Sequence, residues 1–157
     1  FIQDVFWAGF DAQFVAVGTR LLILTSPDGR QWTLASAPAG SGTLHSIAGR
    51  ATRGITSSRY VAAGDVLAYS DDGRNWNASA FVPAATLRDV IWTGEHFVAV
   101  GDGGTVVSSP DGIAWEAHDS GSSQDLRGIA SSGSRWIVVG TAGTVLASPA
   151  ARPLALP

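Results

Sequence analysis

Short apolar runs rich in Val, Ile, Ala and aromatic residues alternate along the chain with clusters of Gly, Pro, Asp and Ser. The runs are too short and too often broken by Gly to suit helices. β-Branched and aromatic residues bounded by turn formers read instead as strands. Between positions 87 and 119 four strands are predicted, at Leu87–Thr93, His96–Gly101, Thr105–Ser109 and Ala114–Asp119. Thr93-Gly94-Glu95, Asp102-Gly103-Gly104 and Pro110-Asp111-Gly112 separate them, each with the residues that tight turns need.

The pattern repeats. Ser26-Pro27-Asp28-Gly29-Arg30-Gln31-Trp32 returns as Ser70-Asp71-Asp72-Gly73-Arg74-Asn75-Trp76 and as Ser109-Pro110-Asp111-Gly112-Ile113-Ala114-Trp115. A degraded fourth copy starts at Ser148, so the Ser-to-Ser spacings are 44, 39 and 39. Ahead of each copy lies a shared apolar segment ending in Gly18, Gly64, Gly101 or Gly140. Before that comes a third, Ile2–Val5, Leu44–Ile47, Leu87–Val90 or Leu126–Ile129. Repeated units of about 40 residues with four short strands each are propeller blades. The expected fold is all-β, a β-propeller of four antiparallel four-stranded blades at about 1–42, 43–84, 85–124 and 125–157.

The repeated turn has a mechanical reading. Its Asp accepts hydrogen bonds from the turn's own amides, its Gly reaches φ > 0, and its Trp packs over the hairpin or between blades. Ser26, Asp28, Gly29, Trp32, Ser70, Asp72, Gly73, Trp76, Ser109, Asp111, Gly112 and Trp115 are therefore expected to be structural. This Ser-x-Asp-Gly-x-x-Trp turn resembles the Asp-box, or BNR repeat, of sialidase-like propellers in a form one residue shorter. Phe97–Gly112 is also similar to repeats of the photosystem II stability/assembly factor propellers. The resemblance implies the propeller fold and an extracytoplasmic setting, but it does not choose among enzymes and inert scaffolds.

If the first strand of each unit lines the axis, the starts of the inner strands gather on one face. That places Gln3, His45, Arg88 and Arg127 around an axial opening, with Asp65 and Asp102 at its rim, as the candidate ligand site. Blade two carries an insertion on the opposite face, where Arg50, Arg53 and Arg59 form a candidate loop for an acidic partner.

Composition narrows the chemistry. The chain has 19 glycines among 157 residues, only 15% charged residues, and a net charge of −3. There is no basic field for nucleic acid and no apolar run long enough for membrane insertion. With no Cys, thiolate metal sites and cysteine nucleophiles are excluded. His45, His96 and His118 show no zinc spacing, and no cofactor or metal is expected. His96 shares the first position of strand two with Gln13, Arg59 and Arg135 and is expected to be exposed. A sialidase would need an arginine cluster, a Tyr nucleophile with a Glu partner, and an Asp acid. The available Tyr60 and Tyr69 lie on strands, Tyr60 at the position of Phe14 and Phe97. No catalytic residue is therefore assigned.

A non-catalytic scaffold for a protein or glycan partner is the expected function. The alternatives are a carbohydrate-active, sialidase-like or lectin-like propeller, and an assembly-factor-like chaperone. No methionine precedes Phe1, so a processed or excerpted chain is expected, with further blades or self-association completing the ring.

Overall fold

A computed structural model describes residues 1–50, 58–133 and 135–148. Each repeat forms one antiparallel sheet in simple meander order. Blade one contains β1 (Ile2–Ala8), β2 (Gln13–Gly18), β3 (Ile23–Ser26) and β4 (Thr33–Leu34). Blade two contains β5 (Leu44–Arg50), β6 (Arg59–Gly64), β7 (Leu67–Ser70) and β8 (Asn77–Ala78). Blade three contains β9 (Leu87–Trp92), β10 (Phe97–Gly101), β11 (Val106–Ser109) and β12 (Glu116–His118), each within two residues of the bounds expected from sequence. Blade four shows β13 (Leu126–Ser131), β14 (Trp136–Gly140) and β15 (Val145–Ala147). The expected remainder of its box, beyond Ser148, lies outside the described residues.

Successive inner strands pack side by side, β1 on β5, β5 on β9 and β9 on β13. The core accordingly falls into three clusters, one per blade junction. Strand two of each blade shows why the sequence does this. Its first and third apolar residues face the preceding blade, and its second and fourth face the next. Tyr60 and Ala62 join the cluster shared with blade one, whereas Val61 and Ala63 join the cluster shared with blade three. Strands apolar on both faces are what a blade sandwiched between two others requires. The ends differ: β13 does not pack against β1 as successive inner strands pack, so the described blades form an open arc.

Side chains lock the blades near the axis. Asp4 Oδ2 accepts from the Ile47 N–H at 2.9 Å, and Asp89 Oδ2 accepts from the Ile129 N–H at 2.8 Å. Ser46 holds the equivalent place in blade two: its oxygen accepts from the Val90 N–H at 3.4 Å, and its one proton is shared between Asp4 Oδ2 and Asp89 Oδ1. At the same position blade four has Gly128.

Candidate functional site: the axial face

A β-bulge opens every inner strand. Ile2 pairs with Gly18 and Asp4 with Val17, which leaves Gln3 as the extra residue. His45 is skipped between Leu44 and Ser46, Arg88 between Leu87 and Asp89, and Arg127 between Leu126 and Gly128. A bulge re-aims the side chain of its extra residue. Four times over, the residue re-aimed is an axial candidate named from sequence.

The bulge also explains the glycine that ends strand two. The carbonyl oxygens of Phe1, Thr43, Thr86 and Asp125 lie well inside contact distance of where a Cβ would stand on Gly18, Gly64, Gly101 and Gly140. Each carbonyl instead accepts from the N–H just after that glycine, for example Asp65 N–H to Thr43 at 2.9 Å and Asp102 N–H to Thr86 at 3.0 Å. The turn between strands two and three is thereby held against the start of the inner strand, and its carboxylate reaches the bulge.

The result is a charged network across blades two to four. Arg88 grips Asp102 with two hydrogen bonds, Nε to Oδ1 at 2.9 Å and Nη2 to Oδ2. Arg127 reaches the same carboxylate from blade four at 3.4 Å and donates to Asp125 Oδ2 at 2.8 Å. Asp125 also accepts from the Gly103 N–H, and Asp65 accepts from the Thr43 N–H and the Thr86 hydroxyl. The bidentate Arg88 bond holds the Asp102 carboxyl below its ordinary range and raises the guanidinium in return. Burial, aided by the Arg88 charge, lowers His45 against the opposing pull of Asp65 and Asp102. His45 is therefore neutral at pH 7, an uncharged donor and acceptor inside a charged frame.

His45, Arg88, Arg127, Asp65 and Asp102 are thus brought together, while Gln3 is exposed on blade one and, among the described residues, takes no part in the network. Asp125, Thr43 and Thr86 went unnoticed in the sequence. Their signal was there: each directly precedes the Leu that begins an inner strand.

The three described boxes are superimposable in their bonding. In blade two the Ser70 hydroxyl donates to Asp72 Oδ1 and accepts from the Gly73 N–H, while Asp72 Oδ1 accepts from the Arg74 and Asn75 N–H groups. Trp76 Nε1 donates to the Gly73 carbonyl at 2.9 Å. Ser26, Asp28, Gly29 and Trp32 repeat this set in blade one, and Ser109, Asp111, Gly112 and Trp115 repeat it in blade three.

Two expectations need correction. Arg50 and Arg59 are not on a free loop: they face each other as the last residue of β5 and the first of β6. Arg50 stacks over Trp92 at 4.8 Å, and Arg59 lies over Tyr69 and pairs with Asp71 at 3.0 Å. Their stems fill the junction of blades two and three, where apolar surface draws long side chains inward. Arg53 lies outside the described residues. His96, the residue just before β10, is half-buried rather than exposed. Gln13, its counterpart, crosses to the Asp72 carbonyl of the next blade at 2.9 Å.

Tyr60 is fully buried, donates to Asp11 Oδ2 at 2.7 Å and accepts from Gln13. Burial, with that carboxylate, pushes its phenol far up, the opposite of an activated nucleophile. Among the described residues no group of three His, Cys, Asp or Glu is placed to hold a metal, and no helix is long and apolar enough to cross a membrane.

Blade-like sheets joined at their first strands, repeated with one register, settle the architecture, and solved structures agree. The chain is a β-propeller. It is similar to YCF48 bound to D1 peptide, with TM-score 0.61 and 19% identity over 91% of this chain and 48% of that one. It is similar to YCF48 from Cyanidioschyzon merolae, with TM-score 0.66 and 16% identity over 96% and 54%. The GH74 enzyme of Niastella koreensis matches with TM-score 0.68 and 19% identity, over 94% of this propeller and 22% of the enzyme. These identities speak for the fold. This propeller spans about half the length of the YCF48 chains and about a fifth of the enzyme. No protein-family model and no curated protein matches the sequence.

Proposed function

We propose that this propeller is a non-catalytic binding module that holds an extended polypeptide segment across its axial face. The observation that carries this reading is the bulge, which aims His45, Arg88 and Arg127 at one surface from three successive blades. Arg127 keeps nearly half of its side chain in solvent, so its guanidinium can donate to backbone carbonyls of a bound segment. Two guanidiniums against the carboxylates of Asp65, Asp102 and Asp125 leave the network one negative charge in excess, with His45 neutral. A segment carrying a Lys or Arg meets that excess. A fold neighbour, YCF48, has been solved with a peptide bound, which supports a polypeptide as the partner class.

Panning a random peptide library against the chain tests the proposal. Retained peptides should carry a basic residue and should bind Arg127→Ala at least tenfold more weakly, while Arg30→Ala on the box face binds as the parent does. Peptides that ignore Arg127→Ala would refute the site. Retention on a glycan array with no peptide retained would replace this reading with the carbohydrate-binding one.

A further inference from the structure

On the box side, blades one and two part to leave a cleft of about 520 Å³, a size that small-ligand pockets have. The repeat explains it. Thr25 and Ala35 line the cleft at the positions where blade two carries Tyr69 and Ser79. In blade two Arg59 lies over Tyr69 and fills the corresponding junction, whereas the smaller Gln13 and Thr25 leave the space open. Backbone bonds hold the two blades together beside it. The Ser36 N–H donates to the Arg74 carbonyl at 2.8 Å, and the Ser36 carbonyl accepts from the Trp76 N–H at 3.1 Å.

The lining carries unpaired oxygens. Gln13 and Thr25 are only 7% and 6% exposed. Gln13 Nε2 donates to the Tyr60 hydroxyl at 3.0 Å and to the Asp72 carbonyl at 2.9 Å, which leaves Oε1 as the acceptor still to be used. Among the described residues neither that Oε1 nor the Thr25 hydroxyl has a hydrogen-bond partner, and neither is sealed from solvent. Polar groups so deeply set and so left over call for a partner from outside the chain. Two opposite charges also line the cleft. Asp11 comes from the turn between β1 and β2, and Arg74 from the box of blade two. Among the described residues neither one has an ion-pair partner. The hydroxyls of Tyr60 and Ser58, at 2.7 and 2.9 Å, hold the Asp11 carboxylate in place.

We propose that this cleft binds a small zwitterion, a free α-amino acid, with its ammonium on Asp11 and Gln13 Oε1 and its carboxylate on Arg74. An ammonium brings three donors, and the oxygens of Asp11, Gln13 and Thr25 supply acceptors for them. The planar guanidinium of Arg74 matches a carboxylate. Bonds within the protein already fix Asp11 and Gln13, so little ordering is left for binding to supply. This inference goes beyond the axial-face reading and is independent of it.

Isothermal titration of the chain with each standard L-amino acid tests it, with a far-ultraviolet melt confirming that each variant is folded. At least one amino acid is expected to bind, one per chain. Its N-acetyl and its amide derivatives each lack one of the two charges and should bind about tenfold more weakly or worse. Arg74→Gln should weaken the amino acid by about as much while leaving the amide derivative unchanged, a pattern that a merely structural arginine would not give. Thr25→Tyr places in blade one the residue that blade two carries there and should abolish binding. Arg30→Ala, in the neighbouring box but outside the cleft, should bind as the parent does. Arg74 is exposed, so its variant keeps the test decisive whatever the tyrosine does to blade one. Binding of no amino acid would overturn the proposal. So would an acid and its amide binding the parent equally, binding that survives Arg74→Gln unchanged, or D-glucose binding in the cleft where no amino acid does.

Discussion

At the level of single residues, the box turn is held by one carboxylate and one ring. Asp72 is the clearest case. Partial burial works against its charge, but the hydrogen bonds from Asn75, the Arg74 N–H and the Ser70 hydroxyl outweigh it and lower its pKa from 3.8 to about 2. The folded carboxyl holds its proton less tightly than the unfolded one. Its stabilisation is therefore complete above about pH 4 and is lost as pH falls towards 2. The melting temperature should drop through that window, and the drop should be shallower in Asp72→Ala. The rings are unequal. Trp76 is 5% exposed and packs against Tyr60, with ring centroids 6.3 Å apart, whereas Trp32 is 39% exposed. Urea unfolding of Trp76→Ala should show a loss of about 3–5 kcal/mol, the usual cost of emptying a buried aromatic site. Trp32→Ala should lose distinctly less. The box was fully legible in the sequence because its hydrogen bonds join residues two or three apart. The difference between Trp76 and Trp32 was not, since it depends on what the neighbouring blade lays over each ring.

At the level of elements, the repeat made the strands readable, and one residue of register made the site. Apolar runs and turn clusters placed β9 to β12 almost to the residue, because alternation and turn chemistry are local. The bulges were hidden, since a skipped residue shows only when the partner strand is known. The glycine closing strand two was a visible clue whose meaning needed the structure: the inner strand's leading carbonyl occupies the space of its side chain. Gly64→Ala would drive a methyl group into the Thr43 carbonyl. Because the obstacle is backbone, it cannot step aside like a flexible side chain. The variant is expected to lose cooperative thermal unfolding, where Gly9→Ala, whose added Cβ meets nothing closer than Trp7 Nε1 at 3.4 Å, keeps it. The fate of Arg50 and Arg59 has the same origin. An insertion in the repeat suggested a free loop, yet register places both at facing strand ends, and the aromatic rings of blades two and three draw their stems inward.

At the level of the whole molecule, the two faces divide the work. The box face carries turns whose Ser and Asp side chains are bonded within the turns themselves. The axial face gathers side chains from different blades into one network, with Arg127 and Asp65 still open to solvent. The sequence placed His45, Arg88, Arg127, Asp65 and Asp102 on this face because strand order alone decides the end at which an inner strand starts. It did not reveal that both arginines are already engaged by carboxylates, a contact set by how the turns fold over the bulges. Hydrogen–deuterium exchange of the chain, with and without a peptide retained from the library, asks directly which face is the working one. Slowed exchange at 43–46, 86–89, 102–104 and 125–128 is the predicted result. Slowed exchange confined to the box turns at 27–32, 71–76 and 110–115 would contradict it.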